Sequence, residues 1–259
     1  MTTSAHKVHA NGVFPMRVAS YNVHGFRGRD GRWNMERIAE VIRELDAHVV
    51  GLQEVVCKRD CPRTMQFGDP RSVLADLAGL TGHHAITGIN MATGRSPCCN
   101  ALLVKTLPRD VTALDISLHE REPREVVSAV LGTAANNVRV ATVHVGLGFG
   151  ERLGQIRHLV ELVEQWGNER TVILGDFNEW NPLSRSAWRI SRKLGAPPCG
   201  MTFPAHFPLL PLDRLGVTPD LRLWNAHAHR SRLAREASDH LPVVGDVMPA
   251  QEPGSDGAS

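Results

Sequence analysis

Polar side chains stand at the ends of strand-forming stretches along this chain. The clearest case is Gly175-Asp176-Phe177-Asn178, which directly follows the β-rich run 171–174. A strand that ends in an acid, with an amide two residues later, delivers both side chains to the rim of a sheet, where open α/β sheets keep their binding sites. Alone, such a stretch is a strand followed by a polar turn, so its interpretation depends on the residues that accompany it.

Carboxylates, amides and histidines occur at four further strand ends, and one acid lies inside an apolar segment. The strand-end residues are Asn22, Glu54, His144 and the pair Asp239-His240 ahead of the last strand. Asp213 lies in the largely apolar Leu212-Asp213-Arg214-Leu215, where an unpaired carboxylate is costly, so we expect a cationic or hydrogen-bonding partner for it. Neither a serine elbow nor a P-loop pattern accompanies these residues.

These residue types fit the hydrolysis of a phosphate ester assisted by a hard divalent cation. Mg²⁺ takes oxygen ligands and keeps several waters, so one or two protein carboxylates suffice to hold it. The histidines lack metal-ligand spacing and are better suited to donate to phosphoryl oxygens, where charge develops in the transition state. The residues therefore predict metal-assisted phosphoester chemistry.

The elements that must position these residues follow an α/β pattern. Strands are predicted at 16–21, 47–53, 84–89, 100–105, 111–116, 126–131, 138–143, 171–176, 212–217 and 243–247. Helices are predicted at 34–45, around 73–77, around 156–163 and at 184–194, with loops at 57–70 and 201–211. Closely spaced strands indicate antiparallel connections, and strand–helix–strand units indicate parallel neighbours. We expect an α/β fold with two packed mixed β-sheets flanked by helices.

The composition is that of an ordinary folded protein. Its 259 residues are 42% hydrophobic and 22% charged, with a formal net charge of +2. That charge is too small to indicate a nucleic-acid-binding protein, although local patches matter more than totals. No apolar run approaches the ~18 residues of a membrane span and no signal peptide is recognisable, so we expect no transmembrane segment. The cysteine usage, described below, fits a reducing, cytoplasmic setting.

One domain is expected, because no low-complexity linker divides the chain. It covers 16–249, with a flexible segment at 1–15 and a disordered tail at 250–259, and we expect a monomer. The five cysteines are odd in number, which argues against a complete disulfide framework. Cys57 and Cys61 are close enough in sequence to bridge, and whether they do is left open.

Six stretches resemble, in order, the motifs of the endonuclease/exonuclease/phosphatase superfamily, the deoxyribonuclease-I-like fold, and in particular its small bacterial metal-dependent hydrolases. They are Ser20-Tyr21-Asn22-Val23-His24-Gly25, Gly51-Leu52-Gln53-Glu54-Val55, Thr142-Val143-His144, Gly175-Asp176-Phe177-Asn178, Leu212-Asp213-Arg214-Leu215 and Ser238-Asp239-His240-Leu241-Pro242-Val243. One such motif is weak evidence, whereas six in order across nearly the whole chain are strong. The resemblance implies a four-layer α/β sandwich.

The resemblance also implies roles at the metal and at the attacking water. Glu54 resembles the main Mg²⁺ ligand, Asn22 an amide near that metal, and Asp239 a second contributor that acts directly or through water. Asp176 resembles the carboxylate that orients or deprotonates the water. Asn178 is similar to the amide that contacts phosphate and helps to hold Asp176.

Four further residues resemble groups that contact the phosphate or their supports. His240 is similar to the histidine that donates to the scissile phosphate, and Asp213 to the partner that fixes its tautomer and raises its pKa. His144 is similar to a second phosphate-contacting histidine. Asn100 and Arg124 stand where relatives have substrate-binding residues, although a strand-entry asparagine and a solvated arginine are equally good interpretations.

The chain departs from the family pattern at two positions. His24 stands where some members have an acid, so a second metal site is less expected, and Cys99 replaces the glycine of a Gly-Asn-Ala stretch. A basic stretch precedes Asp239-His240, and it either recruits a polyanionic substrate or forms a solvated face. It comprises Arg222, His227, His229, Arg230, Arg232 and Arg235.

The leading hypothesis is an Mg²⁺-dependent phosphodiesterase that cleaves by in-line attack of water, with Mn²⁺ as a substitute for Mg²⁺. An endonuclease or exonuclease is one form that such an enzyme could take. The alternatives are a phosphomonoesterase, a phospholipid-headgroup phosphodiesterase and a non-catalytic binding protein of the same fold. Its substrate would be nucleic acid, phospholipid or a small phosphodiester. The near-neutral charge and the 5% aromatic content argue against a processive nuclease. The presence of the whole acidic and histidine set argues against loss of catalysis.

Overall fold

The computed structural model describes residues 13–55, 70–88, 99–118, 121–134 and 136–250. Within these ranges the strands and helices follow one another along the chain in the order β1 Met16–Asn22, α1 Met35–Leu45, β2 Val49–Val55, α2 Pro70–Thr81, β3 His84–Thr87, β4 Cys99–Val104, β5 Asp110–Asp115, β6 Glu125–Gly132, β7 Asn137–His144, α3 Phe149–Gln165, β8 Thr171–Asp176, α4 Arg185–Lys193, β9 Asp213–Val217, β10 Leu221–Ala228, α5 Arg232–Ala237 and β11 Val243–Pro249. The possible bridge between Cys57 and Cys61, most of the predicted N-terminal segment and the tail from 251 lie outside the described residues.

The strands form two mixed sheets. One has six strands in the order β10-β11-β1-β2-β4-β3, and the other has five in the order β5-β6-β7-β8-β9. The pairs β1–β2 and β7–β8 are parallel, each joined through a helix or a helix-containing connection, and the other neighbouring strands are antiparallel. The two strand–helix–strand units and the antiparallel run predicted from the sequence are therefore both present.

Apolar side chains fill three layers between four layers of secondary structure. The central layer joins the facing sheets and includes Val18 and Leu102 from one sheet and Val140 and Leu174 from the other. Helices α1, α2 and α5 cover the outer face of the six-stranded sheet. Helices α3 and α4 cover the outer face of the five-stranded sheet. The expected α/β fold, a four-layer sandwich of two packed mixed sheets, is confirmed.

The motif Gly51-Leu52-Gln53-Glu54 holds the sheets together beside the site. A Cβ atom on Gly51 would lie 2.7 Å from Thr142 Oγ1 and 3.0 Å from Leu174 Cβ, so glycine lets the two sheets approach here. The neighbouring Gln53 is buried and donates from Nε2 to Thr142 Oγ1 at 2.9 Å. This polar bridge needs satisfied partners because it lies in the core between the sheets.

Two elements, β10 and α5, were not predicted from the sequence. Strand β10 lies at an edge of its sheet, and its pairing shifts register between Trp224 and His227, so it lacks the clean alternation that marks a strand. Helix α5 has only six residues. The basic stretch therefore lies on an edge strand and a short helix, where His229 pairs with Glu44 at 2.8 Å. No helix in the described ranges is long and apolar enough to cross a membrane.

Candidate active site

The ends of five strands meet at one edge of the sandwich. In the six-stranded sheet, Asn22 at the end of β1 pairs with Gln53, which places it beside Glu54 on the parallel strand β2. In the five-stranded sheet, Asp176 pairs with His144 across the parallel β7–β8 ladder and with Asp213 across β8–β9. Strand register thus brings these residues together within each sheet, and the packing of the two sheets brings Asn22 to Asp176.

Left-handed backbone turns two of these side chains into the site. Glu54 has φ of 55° and Asn178 has φ of 48°. Glu54 lies where the β2–β4 pairing shifts register between Leu52 and Val55, as in a β-bulge that redirects a side chain. Non-glycine residues adopt this conformation at an energetic cost and cluster at functional sites.

Asn22 bridges the carboxylates of the two sheets. Its Nδ2 donates to Glu54 Oε1 at 3.0 Å and to Asp176 Oδ2 at 3.1 Å. Its Oδ1 accepts from the backbone N–H of His24 at 3.0 Å, which fixes the orientation of the amide. Asn22 thus presents its amide nitrogen, and not its oxygen, to the site. Its role at the metal stays a prediction. It would require either a half-turn of the amide or an indirect action in which Asn22 holds Glu54.

Asp176 lies at the centre of the site and is buried. Its Oδ1 accepts from the backbone N–H of Asn178 at 2.9 Å. Its Oδ2 lies 3.6 Å from His144 Nε2 and 3.7 Å from His240 Nε2. Burial raises the pKa of Asp176 to about 6, against the opposing effect of His240. The predicted neighbours Asn178, His144 and His240 are therefore all around one carboxylate.

The partner that the sequence requires for Asp213 is His240. His240 Nδ1 donates to Asp213 Oδ2 at 2.9 Å, and both side chains are buried. Burial alone would lower the pKa of His240, but the carboxylates of Asp213 and Asp176 outweigh it and raise that pKa to about 10. The ring of Phe203 packs against the imidazole with centroids 5.0 Å apart. The site therefore holds His240 as an imidazolium.

His144 has the opposite environment. Arg124 Nη1 lies 2.9 Å from His144 Nδ1, and because a guanidinium can only donate, Nδ1 accepts and the ring proton is on Nε2. Burial, with the nearby charges of Arg124 and His240, lowers the pKa of His144 well below its usual value. His144 is therefore a neutral imidazole whose Nε2–H lies 3.6 Å from Asp176 Oδ2. Asn178 Nδ2 is 3.2 Å from the same ring nitrogen and, because both groups are then donors, it gives its hydrogen bond to Val145 O at 2.8 Å.

The two predicted substrate-binding residues both have protein partners. Arg124 donates to His144 and, through Nη2, to Glu122 Oε2 at 3.0 Å. Asn100 Nδ2 donates to the backbone oxygen of Glu125 at 2.9 Å, which joins strands of different sheets. Their contacts to substrate stay predictions, since the structure shows both side chains bonded within the protein.

The donor chemistry fits a hard divalent cation on the side of the site formed by Glu54 and Asp239. Their carboxylates are 24% and 38% exposed, so oxygen ligands remain accessible there. Asp239 Oδ1 also lies 3.7 Å from His24 Nδ1. The atoms of Asp176, Asp213 and His240 are close enough together to hold an ion as well. However, a protonated histidine repels a cation, so that cluster fits a metal poorly.

A buried polar network behind the site was not predicted from the sequence. Arg152 Nε donates to Glu179 Oε2 at 3.1 Å, Ser184 Oγ donates to the same oxygen at 2.7 Å, and Arg214 Nη2 donates to the backbone oxygen of Glu179 at 2.9 Å. Arg214 lies beside Asp213 in the same apolar segment. The rule that predicted a partner for Asp213 applies equally to Arg214 and would have indicated this network.

Known proteins are similar to this chain over most of its length. The chain is 27% identical over 255 residues to the uncharacterized protein YbhP of Escherichia coli K12, covering 90% of this chain and 96% of that protein. A mannosyl-6-phosphatase from Bacteroides thetaiotaomicron is 17% identical, with a TM-score of 0.72 and coverage of 90% of this chain and 99% of that one. The catalytic domain of human Nocturnin, with a bound sulfate anion, is 16% identical, with a TM-score of 0.65 and coverage of 91% and 94%. These two structural likenesses show the fold.

A family model gives the assignment. The model described as the endonuclease/exonuclease/phosphatase family matches residues 19–240, a span that contains every strand end described above. The chain therefore belongs to the endonuclease/exonuclease/phosphatase family of phosphoester hydrolases.

Proposed function

We propose that the protein is an Mg²⁺-dependent phosphodiesterase that cleaves its substrate by in-line attack of water. The observation that carries this proposal is the environment of Asp176. A buried carboxylate held by Asn22 and Asn178 faces the Nε2 atoms of two histidines at 3.6 and 3.7 Å. A base and two donors of this kind suit a phosphoryl group that is attacked on one side and stabilised on its oxygens.

Asp176 is the group that takes a proton from the attacking water. Its pKa of about 6 leaves it ionised at neutral pH while making it a stronger base than an ordinary carboxylate. The backbone N–H of Asn178 fixes Oδ1, and the amide of Asn22 contacts Oδ2. Asp176 is therefore held in one orientation from both sheets.

The two histidines donate to the phosphoryl oxygens in different charge states. His240 offers a charged Nε2–H because Asp213 stabilises the imidazolium. His144 offers a neutral Nε2–H because Arg124 occupies its Nδ1. The developing negative charge is thus met by one charged and one neutral donor.

Glu54 and Asp239 would hold the metal, with Asn22 supporting Glu54. When bound, Mg²⁺ or Mn²⁺ supplies Lewis-acid stabilisation of the phosphate and of the leaving oxygen. Glu54 is turned toward the site by its left-handed backbone and keeps part of its carboxylate exposed. The chain itself thus supplies oxygen ligands on one side of Asp176 and N–H donors on the other.

Hydrolysis of bis(p-nitrophenyl) phosphate tests the proposal. We expect turnover with Mg²⁺ or Mn²⁺, loss of turnover in EDTA, and a fall of about 10³-fold in Asp176→Ala. Asp220→Ala is the matched control, because Asp220 is a half-exposed acid beyond the far end of β9. Absence of metal-dependent turnover, or equal turnover in Asp176→Ala, would contradict the proposal.

A phosphomonoesterase is the second candidate. The similar fold of the Bacteroides mannosyl-6-phosphatase supports it, since the same sandwich serves that enzyme. Parallel assays on p-nitrophenyl phosphate and on its diester under one metal condition separate the two candidates. A higher kcat/KM on the monoester would favour the phosphomonoesterase.

A further inference from the structure

Several large apolar side chains are exposed on loops, and at the start of α3, next to the active-site strands. We call these residues the apolar rim; they are Leu147, Phe149, Trp180, Leu183, Phe207 and Leu209. Leu183 is 92% exposed and Leu147 is 76% exposed. Single exposed apolar residues are ordinary, whereas a concentration of them around one site marks an interaction surface.

Each part of the apolar rim is connected to a residue of the site. Leu147 follows His144 by three residues, and Trp180 follows Asn178 by two. The loop that carries Phe207 and Leu209 packs on the segment around His240, since the backbone N–H of Ala205 donates to Asp239 O at 2.7 Å. The rim therefore surrounds the entrance to the site from two sides.

Buried charges hold the backbone of two of these loops while their apolar side chains remain outside. Arg152 donates to Leu147 O at 2.8 Å and to Glu179 Oε2 at 3.1 Å, which ties one loop to the other. Arg214, which is buried, fixes the same loop through Glu179 O. Loops anchored in this way present Leu147 and Trp180 to solvent as part of the folded structure.

The charge of the three loops distinguishes between possible partners. In 145–150, 177–185 and 200–212 the only carboxylate is Glu179, which is buried and paired, and Glu151 directly follows the first range. The cations at these loops are the exposed Arg185 and two arginines of the basic stretch, Arg230 and Arg235, which donate to the backbone of 200–212. Nucleic acid is bound through clustered cations together with aromatic faces on which bases stack, whereas three of the six rim residues are leucines. Exposed Leu and Phe side chains with a tryptophan, beside cations, are typical of segments that enter the interface of a bilayer.

We infer that the apolar rim inserts into the surface of a phospholipid bilayer and presents a phospholipid headgroup phosphoester to the site. This inference names the substrate class and rests on the proposed phosphoester hydrolysis. The rim surrounds a site whose donors suit a phosphoryl group, so insertion of the rim would bring headgroup phosphates to the level of Asp176 and the two histidines.

Vesicle co-sedimentation in EDTA tests the docking separately from catalysis. We expect the protein to bind vesicles of phosphatidylcholine with phosphatidylglycerol, and to bind pure phosphatidylcholine vesicles more weakly because Arg185 favours anionic lipid. The double variant Phe149→Ser/Leu183→Ser should lower the vesicle affinity at least tenfold, because it removes two apolar side chains that would be buried in the bilayer. Thermal unfolding of that variant verifies that it is folded.

Leu107→Ser is the matched control. Leu107 is 71% exposed but lies after β4, at the end of the sheet where Val104 pairs with Val49 at the start of β2, away from the site. It should leave vesicle binding and turnover of bis(p-nitrophenyl) phosphate unchanged. No binding of either vesicle type by the wild type, or equal losses in the control and the double variant, would overturn the inference.

The two proposals fail in different ways. Diester turnover without vesicle binding would remove the bilayer inference and leave the proposed function standing. Vesicle binding without any metal-dependent turnover would do the reverse. If duplex DNA, and not vesicles, lost affinity for the double variant, the rim would be a nucleic-acid surface and the bilayer inference would be wrong.

Discussion

The two histidines of the site are equally buried and equally distant from Asp176, but they differ in the group on the far side of the ring. Their Nε2 atoms lie 3.6 and 3.7 Å from the same carboxylate oxygen. On the far side of each ring, however, His240 meets the carboxylate of Asp213, whereas His144 meets the guanidinium of Arg124. One histidine is consequently held charged and the other neutral.

This difference shows that the second partner of a buried imidazole decides what it can do. A carboxylate at Nδ1 favours the imidazolium, and an arginine at Nδ1 forces that nitrogen to accept and excludes the second proton. Two imidazolium ions this close together would also repel each other. The neutral state of His144 therefore lets the charged state of His240 persist in the same small volume.

Among the variants that separate the two histidines, the largest effect is expected for His240→Gln. Glutamine keeps an N–H donor but cannot carry the charge, so we expect kcat on the diester to fall about 10²–10³-fold. The kcat of Asp213→Asn should also fall, because the imidazolium of His240 loses its carboxylate partner. The double variant should be no worse than His240→Gln alone; additive losses would mean that Asp213 acts independently of His240.

A smaller effect is expected for His144→Gln. A neutral amide donor can replace a neutral imidazole donor, so we expect kcat to fall only about tenfold. Steady-state kinetics of both glutamine variants under one metal condition provide the comparison. Equal losses for the two variants would show that the charge states of the histidines do not matter to the reaction.

Arg124→Gln should have a modest effect, a loss of about threefold to tenfold in kcat, because His144 can then exchange between tautomers. Nitrogen-15 NMR of the histidine rings is the direct measurement: the proton of His144 should be on Nε2 in the wild type and on both nitrogens in the variant. A change confined to KM, with the tautomer unaltered, would instead indicate that Arg124 binds substrate.

The smallest effects are expected in stability, and they have opposite signs. Because the pKa of His240 is raised in the folded protein, its stabilising contribution is complete below its ordinary pKa of 6.5 and is lost as pH rises toward about 10. Because the pKa of His144 is lowered, stability is lost as pH falls below 6.5. Each contribution should change Tm by a few degrees.

Thermal unfolding of the metal-free protein across pH measures both contributions. His240→Gln should flatten the alkaline side of the Tm profile, and His144→Gln should flatten the acidic side. If both variants flattened the same side, the two rings would have the same charge state in the folded protein.

Much of the fold could be predicted because its strands are apolar and end in polar residues. Strands such as 171–176 and 138–143 were placed to within a residue, and the family resemblance supplied the stacking of the sheets. Edge strand β10 was missed since half of its side chains face solvent and its pairing changes register at Trp224. A search for alternating apolar and polar residues does not detect such a strand.

The contacts within the candidate site were only partly predictable from the sequence. The apolar segment around Asp213 required a partner for its carboxylate, and the structure provides His240. Nothing local in the sequence connects Arg124 with His144, since the contact depends on neighbouring strands of one sheet and on the direction of each side chain. The orientation of the Asn22 amide depends on a local contact, the backbone N–H of His24 two residues along the chain, which only the three-dimensional structure shows.

The close approach of the sheets at Gly51 has a consequence for how activity arises during folding. Glu54 and Asn22 belong to one sheet and Asp176 and His144 to the other, so neither sheet alone contains the whole candidate site. A side chain at position 51 would act as a wedge and widen the gap between the sheets. Recovery of turnover after dilution from denaturant should therefore report the docking of the two sheets, and a Gly51→Ala chain should lose activity before it loses secondary structure.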